Sequence, residues 1–133
     1  MVDMLNVESI VFTRIKGKFP QNLKTKYKDL SFTTSNKVQA TAKFPNVYVH
    51  LLPAVEKGQD LEGLTINGGL FTFQIEVTDS QSQNLADEVM QGVVTIMKSM
   101  RFEVMAFPEF RNTDSAYRSV ARFRRVIGNG DTL

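Results

Sequence analysis

The sequence contains no cysteine and no tryptophan, and its one histidine is His50. Without cysteine the chain forms no disulfides, no thiolate zinc site and no cysteine nucleophile, and a single histidine excludes a multi-histidine metal site. No apolar run reaches the roughly 18–20 residues that cross a membrane. The first residues include Asp3 and no basic cluster, so we expect no secretory signal there. Much catalytic chemistry is excluded before any motif is considered.

The rest of the composition is typical of one globular domain. The chain has 133 residues, of which 42% are hydrophobic and 23% charged. Because domains cluster at about 100–150 residues, we expect a single domain over 1–133 with a core of its own. The polar, glycine-containing segment 128–133 is predicted to be a frayed tail.

The net charge of +2 is distributed unevenly along the chain. Residues 1–44 contain eight basic and three acidic residues, a net charge of +5. Residues 45–110 contain three basic and nine acidic residues (−6), and residues 111–133 contain five basic and two acidic residues (+3). Such blocks indicate contact with nucleic acid or complementary protein surfaces. A solvated face on each element explains them equally well.

The first half of the chain predicts two helical segments and two strands. An apolar stripe at helical spacing, capped by Asp3 and ending near residue 18, comprises Met4, Val7, Ile10, Val11 and Ile15. A short helix over 21–28 and strands over 30–34 and 47–52 follow, with a loop over 35–43. Residues 53–69 are predicted to be a long connection between strands, in which 64–66 extends a hairpin arm.

The second half is dominated by an alternating strand and an amphipathic helix. Residues 70–78 alternate apolar and polar side chains, and Ser80–Gln83 fits a capping box before a helix over 85–100. Two further strands are predicted, one over 102–107 that ends at Pro108 and one over 117–127. This order predicts an α+β fold, a two-layer sandwich in which a mainly antiparallel sheet carries two main helices on one face.

Residues with catalytic or metal-binding potential are few. Glu56, Asp60 and Glu62 lack the spacing of a calcium loop, and Asn67–Gly69 lacks the surroundings of a phosphate loop and is predicted to be a hairpin turn or bulge. No serine lies in a nucleophile elbow, and His50 falls within an alternating strand pattern. We therefore expect no enzyme activity, no metal and no cofactor.

The arrangement of the basic residues is compatible with several kinds of contact. Alternation in the last strand places Arg118, Arg122 and Arg124 on one face and interrupts the apolar face with Arg125. An arginine row could contact nucleic-acid phosphates, pair with acids such as Glu76 across the sheet, or form a subunit interface. The lysines at 16, 18, 24, 26 and 28 are more typical of a solvated helical face than of a nucleic-acid groove.

Several motifs in this order resemble a known family. Residues 44–49 (FPNVYV) open a strand, and 70–77 (LFTFQIEV) lead directly into the capped helix. Arg101-Phe102, a proline-containing link and the strand 117–127 (YRSVARFRRVI) follow. At this length they resemble the tail terminator, or tail completion, proteins of long-tailed, siphovirus-like phages. The resemblance extends over about residues 5–127 and is strongest over 44–127.

The resemblance implies a structural role in the virion. Proteins of this family cap the head-proximal end of the tail tube as a ring, usually a homohexamer, stop tube polymerisation and provide the joint to the head. The implied partners are other copies of the chain, the tail tube protein and the head–tail connector or neck proteins, with transient contact to DNA in the lumen and no membrane. The implied location is the virion tail, assembled in the host cytoplasm.

Two other functions stay open from the sequence, because fold alone does not determine function. One is another neck or head–tail connector protein of the same virion. The other, less favoured, is a basic nucleic-acid-binding module, which the sequence pI of about 9.0 and the arginine strand support.

A head-to-tail ring needs two different complementary patches on each subunit. Charge alternation and loop length predict subunit or tube contacts at Glu56, Asp60 and Glu62, in an acidic arm over 54–69, and at Arg118, Arg122 and Arg124. Docking contacts are predicted at Lys16, Lys18, Lys24, Lys26 and Lys28.

Overall fold

The computed structural model describes residues 6–34, 43–57, 68–113, 116–128, 131 and 133. Within these residues the chain forms three helices and six strands. In chain order they are α1 (Val7–Lys18), α2 (Gln21–Lys26), β1 (Ser31–Thr34), β2 (Asn46–Leu51), β3 (Val55–Lys57), β4 (Gly68–Asp79), α3 (Gln83–Ser99), β5 (Glu103–Phe110) and β6 (Tyr117–Gly128).

The described strands form a single sheet in the order β1-β2-β4-β6-β5, and β3 pairs with β4 beside the end of β2. Only the β1–β2 pair among them is parallel. The long strand β4 lies at the centre, paired along its whole length with β6, which separates it from β5. This mixed α+β sheet confirms the predicted fold class.

The core lies between the helices and one face of the sheet. Alternate residues of the central strands point into it, as the period of two requires. Those buried from the sheet are Val47, Val49, Phe71, Phe73, Ile75, Val77, Ala121, Phe123 and Ile127, and those buried from α1 and α3 are Val7, Val11, Phe12, Ile15, Ala86, Val89, Met90, Val93, Ile96 and Met97. The two longer helices therefore share the sheet face predicted from the sequence.

The N-terminal helices match the predicted pattern where they are described. Val7, Val11 and Ile15 are buried along α1, whose end at Lys18 agrees with the prediction. Met4 and the proposed cap Asp3 lie outside the described residues. The short helix α2 buries Leu23 against the core, which confirms a short helix here, although it ends at Lys26 and not at residue 28.

The start of α3 corrects the predicted capping box. The cap is Ser82, whose Oγ accepts a hydrogen bond from the Leu85 N–H at 3.4 Å, and Ser80 is exposed. The buried Asp79 carboxylate accepts from the N–H groups of Gln81 and Ser82, at 2.9 and 2.7 Å. An aspartate at the end of β4 holds the turn, so the cap lies two residues later than predicted.

The end of α3 is a Schellman motif. The Phe102 N–H donates to the Met97 carbonyl at 3.0 Å, and the Arg101 N–H donates to the Lys98 carbonyl at 2.9 Å. Arg101 adopts a left-handed conformation with a φ of 66°, a position where glycine is preferred. The motif turns the chain so that Phe102 is buried before β5 begins.

Replacing Arg101 with glycine is expected to stabilise the protein by about 0.5–1 kcal/mol. Glycine adopts the left-handed conformation without strain, and the strain removed exceeds the entropy that glycine adds to the unfolded chain. Chemical denaturation measures the change in the free energy of unfolding. Lys98→Gly is the matched control, since Lys98 lies within α3 and glycine there should destabilise by about 1 kcal/mol. Equal losses in both variants would contradict the prediction.

Arg125 anchors the end of the helix to the sheet. It lies on the core face of β6, opposite Phe71, and its side chain is only 11% exposed. Its Nη1 donates to the Met100 carbonyl at 2.9 Å, and its Nη2 lies 3.7 Å from Asp131 Oδ2. The predicted break in the apolar face of β6 is therefore a cap for the carbonyl end of α3.

The segment 128–133, predicted to be frayed, is partly described. Gly128 is the last residue of β6. Its N–H donates to Asp131 Oδ2 at 2.7 Å, and the Asp131 N–H donates to the Gly128 carbonyl at 3.1 Å. Leu133 packs against the core. These contacts connect Asp131 to β6 and to Arg125.

Strand residues occupy both ends of the connection predicted over 53–69. The strand β3 lies within the predicted connection 53–69, and Gly68 and Gly69 begin β4 rather than forming a turn. A Cβ at Gly68 would lie 2.8 Å from the Ile127 carbonyl oxygen, so glycine permits three strands to meet there. The predicted 64–66 arm, and all of the predicted loop over 35–43 except Lys43, lie outside the described residues.

Candidate functional site

The three arginines predicted to form an interface lie on the sheet face opposite the helices. The register of β4 and β6 places them beside polar residues of the neighbouring strands. Arg118 Nη1 lies 3.6 Å from Glu76 Oε1, Arg122 Nε donates to Gln74 Oε1 at 3.0 Å, and Arg124 Nη2 lies 3.4 Å from Glu103 Oε1. Each arginine therefore has a partner on an adjacent strand.

This pairing agrees with one of the alternatives left open by the sequence, pairing across the sheet. Glu76 and Glu103 offset the charge of Arg118 and Arg124, as cross-strand pairing predicts. Arg122, hydrogen-bonded to the neutral Gln74, keeps an unbalanced charge. The row therefore lacks the uninterrupted positive potential with which a nucleic-acid groove attracts phosphates.

His50 lies on the same outer face, at the end of β2. Its ring stacks on Tyr48 with centroids 5.7 Å apart, and Tyr48 Oη lies 3.5 Å from His50 Nδ1. The register places it beside Gln74, two strands from Arg122. The contacts described for the His50 ring are therefore with Tyr48 on its own strand.

The predicted lysine group is divided among several surfaces. Lys24 Nζ donates to the Lys16 carbonyl at 2.7 Å, which connects α2 to α1. Lys26 Nζ lies 3.3 Å from Glu88 Oε1 on α3, and hydrogen bonds to Tyr27 and Glu88 raise the pKa of this lysine. Lys26 therefore connects α2 to α3 through an exposed ion pair.

Two of the predicted lysines line a cleft at the β1 end of the sheet. The cleft has a volume of about 240 Å³ and is lined by Lys16, Lys28, Asp29, Leu30, Ser31, Phe32 and Lys43. The chain folds so that Lys43, far from the others in sequence, joins Lys16 and Lys28. Lys18 lies apart from them, in a groove of about 400 Å³ with Ile10, Thr13, Arg14 and Gly17. We call the first of these the lysine cleft.

The predicted acidic arm is described only in part. Glu56 is an exposed residue of β3, paired through its backbone with Gly69. Asp60 and Glu62 lie outside the described residues. The structure therefore places Glu56 on the edge of the sheet beside the start of β4.

An exposed apolar edge strand is the surface that the sequence analysis missed. The strand β5 pairs only with β6 among the described strands, and it contains Met105, Phe107 and Phe110, which are 49%, 81% and 48% exposed. Two bulges interrupt its pairing. The signal in the sequence was Pro108, because proline within a strand occurs mostly at a sheet edge or at a bulge. We call this surface the β5 edge.

Exposure of this kind is unusual for an edge strand. Soluble proteins protect sheet edges with charge, proline, bulges or a covering element, and seldom leave large aromatic residues open there. The β5 edge has the bulges and Pro108, yet Phe107 is almost fully accessible. Such a surface is typical of a site that another protein covers.

The described residues offer no metal site and no membrane-spanning helix. In the described ranges, no three histidine, aspartate or glutamate side chains lie close enough together to hold a metal ion. Among the helices of those ranges, none combines the length and hydrophobicity needed to cross a bilayer. Protein-family models and curated proteins likewise show no match to this chain.

Proposed function

We propose that the protein is a structural component of a phage virion that caps the head-proximal end of the tail tube as a ring, stops tube polymerisation and joins the tail to the head. Its partners are further copies of the chain, the tail tube protein and the head–tail connector or neck proteins. This proposal combines the resemblance over residues 44–127 with the surfaces of the fold.

The single observation that carries the proposal is the β5 edge. Phe107 is 81% exposed on an edge strand. Burying an aromatic side chain contributes about 1.5–3 kcal/mol, so a partner that covers this strand gains substantial binding energy. An assembly protein uses such a surface, whereas an enzyme requires a pocket with positioned catalytic groups.

The outer sheet face also supports a protein partner over nucleic acid. Of the three arginines there, two are paired with glutamates and one with a glutamine. Arginine is among the residue types that are enriched at protein interfaces. Contact with DNA in the lumen would then be weak and would contribute little to the position of the protein.

Deleting the gene from the phage that encodes this chain is expected to yield filled heads beside separate tails of abnormal, uncontrolled length. The reason is that a tube without its cap continues to polymerise and offers no surface to the neck. Negative-stain electron microscopy of lysates measures tail length and attachment directly. A plasmid carrying the wild-type gene is the control and should restore attached tails of uniform length.

The other outcomes identify other functions. Tails of normal length that fail to join heads would assign the protein to the neck instead. Intact, infectious particles without the gene would refute a structural role in the virion.

A further inference from the structure

The two ends of the sheet differ in chemistry. The β5 edge lies at one end of the strand order, and the lysine cleft lies beside β1 at the other end. A head-to-tail contact joins two different patches of the same subunit, and repeating it generates a closed ring when the rotation between subunits permits. Patches at opposite ends of one sheet have the placement that such a contact needs.

The β5 edge combines an apolar centre with acidic neighbours. Phe107 lies between Glu103 and Glu109, whose side chains are 66% and 67% exposed. Each glutamate has an arginine nearby, Arg124 at 3.4 Å and Arg111 at 3.8 Å. Exposed pairs of this kind contribute little, so the glutamates can turn to cations of a partner at small cost.

The lysine cleft is complementary in both respects. Leu30 and Phe32, which also pack against the core, form the apolar part of a mostly polar lining, and Lys16, Lys28 and Lys43 outnumber Asp29, the one acid in that lining. None of the ion pairs among the described residues involves these three lysines. Its volume of about 240 Å³ is below the roughly 300–1,000 Å³ of small-molecule sites, which favours a protruding side chain as the occupant.

We propose that the β5 edge of one copy docks on the lysine cleft of a second copy. Phe107 enters the cleft against Leu30 and Phe32, and Glu103 and Glu109 face the lysines. This inference rests on the proposed ring, for which it names the contact between subunits. Aromatic anchors with complementary charges around them are typical of the residues that dominate binding energy at interfaces.

Cross-linking through single cysteines tests the contact, because the wild-type chain has no cysteine. Purified Glu109→Cys and Lys43→Cys proteins, each of which loses one charge of the contact but keeps Phe107, Leu30 and Phe32, are mixed and treated with a short bifunctional thiol reagent. We expect at least about tenfold more cross-linked dimer in the mixture than in either variant alone, since only the mixture brings the two edges together. The matched control mixes Glu109→Cys with Gln91→Cys, whose cysteine lies on the exposed surface of α3.

Two results overturn the proposal. No excess of dimer in the mixture over the control shows that these edges do not meet. Efficient cross-linking of Glu109→Cys with itself shows a symmetric contact between two β5 edges instead of a head-to-tail contact.

A second pair of variants tests the anchor. Adding Phe107→Ser to the Glu109→Cys chain should lower cross-linking to Lys43→Cys at least about tenfold, as loss of an interface aromatic does. Val126→Ser is the control, because Val126 is 56% exposed on β6 outside the proposed contact. Unchanged cross-linking by the Phe107→Ser chain, with an unchanged thermal unfolding curve, would overturn the role of Phe107.

These results separate the contact from the proposed function. Overlong tails after gene deletion, together with failed cross-linking, leave the capping function in place and reject this interface. Normal particles after deletion, together with head-to-tail cross-linking, establish the self-contact and reject the capping function.

Discussion

Replacing Phe73 with alanine is expected to lower the free energy of unfolding by about 4 kcal/mol, within the range of about 3–5 kcal/mol for buried phenylalanine. Phe73 is fully buried near the middle of β4, the central strand. Its register neighbours are Leu51 on β2 and Phe123 on β6, and its ring meets that of Phe102 edge to face with centroids 5.6 Å apart.

The expected loss of stability is large because the residues around Phe73 cannot move inward to fill the cavity. The backbone around Phe73 is fixed by ladders on both sides, so the cavity left by the ring stays open. The edge-to-face pair with Phe102 is lost as well, which adds about 0.5–1.5 kcal/mol to the cost of burial alone. Since domains are stable by only about 5–15 kcal/mol, this one change removes a large part of the total.

Urea denaturation followed by circular dichroism measures the change. Thr72→Ala is the matched control, because Thr72 lies on the opposite face of the same strand and is only half-buried. We expect it to cost no more than about 1 kcal/mol. A loss below about 1.5 kcal/mol in Phe73→Ala would show that the core repacks there, against the burial described above.

Replacing Arg125 with methionine is expected to destabilise the protein by about 2–3 kcal/mol, less than the 3–5 kcal/mol for a fully buried pair. The methionine retains much of the aliphatic volume but donates no hydrogen bond. It therefore leaves the Met100 carbonyl at the end of α3 without its donor and Asp131 without its cation. The estimate is reduced because Asp131 is 44% exposed and water screens it.

Arg122→Met provides the control for Arg125→Met. Arg122 lies on the same strand but on the outer, exposed face, where its one described partner is Gln74. Its replacement should change the free energy of unfolding by about 0.5 kcal/mol or less. Thermal unfolding of the two variants side by side gives the comparison, and equal losses would remove the assigned role of Arg125 at the helix end.

The periodicity of apolar residues predicted the central strand and the long helix, because each of these elements has one buried face and one exposed face. In β4, Phe73 and Ile75 alternate with polar residues, since one face meets the helices and the other does not. In α3, Val89 and Val93 recur at helical spacing for the same reason. Sheet order could not be predicted, because period two places a side chain on a face but does not name the neighbouring strand.

Local chemistry was harder to predict where two residues offered the same function. Both Ser80 and Ser82 are suitable helix caps. The Asp79 carboxylate binds the N–H groups of Gln81 and Ser82 and so fixes the turn in which Ser82 caps the helix. Pro108 was interpreted as the end of a strand, whereas an edge strand with bulges continues through it.

The candidate site depended on tertiary structure to a larger degree. Alternation placed Arg118, Arg122 and Arg124 on one face, and the structure confirms that placement. The lysine cleft could not be predicted, because only the folded chain brings Lys43 beside Lys16 and Lys28. Exposure of Phe107 depends on what the fold leaves uncovered, which apolar composition alone does not reveal.

The position of β6 has a consequence for synthesis of the protein on the ribosome. This strand is translated after β5, yet it lies between β4 and β5 in the sheet. Its pairing with β4 joins residues such as Gly68 and Gly128, which are far apart in sequence, and contacts of that range form late. Until β6 emerges, the nascent chain presents one open side of β4 and an unpaired β5 with its aromatic residues, the state in which chaperones would bind it.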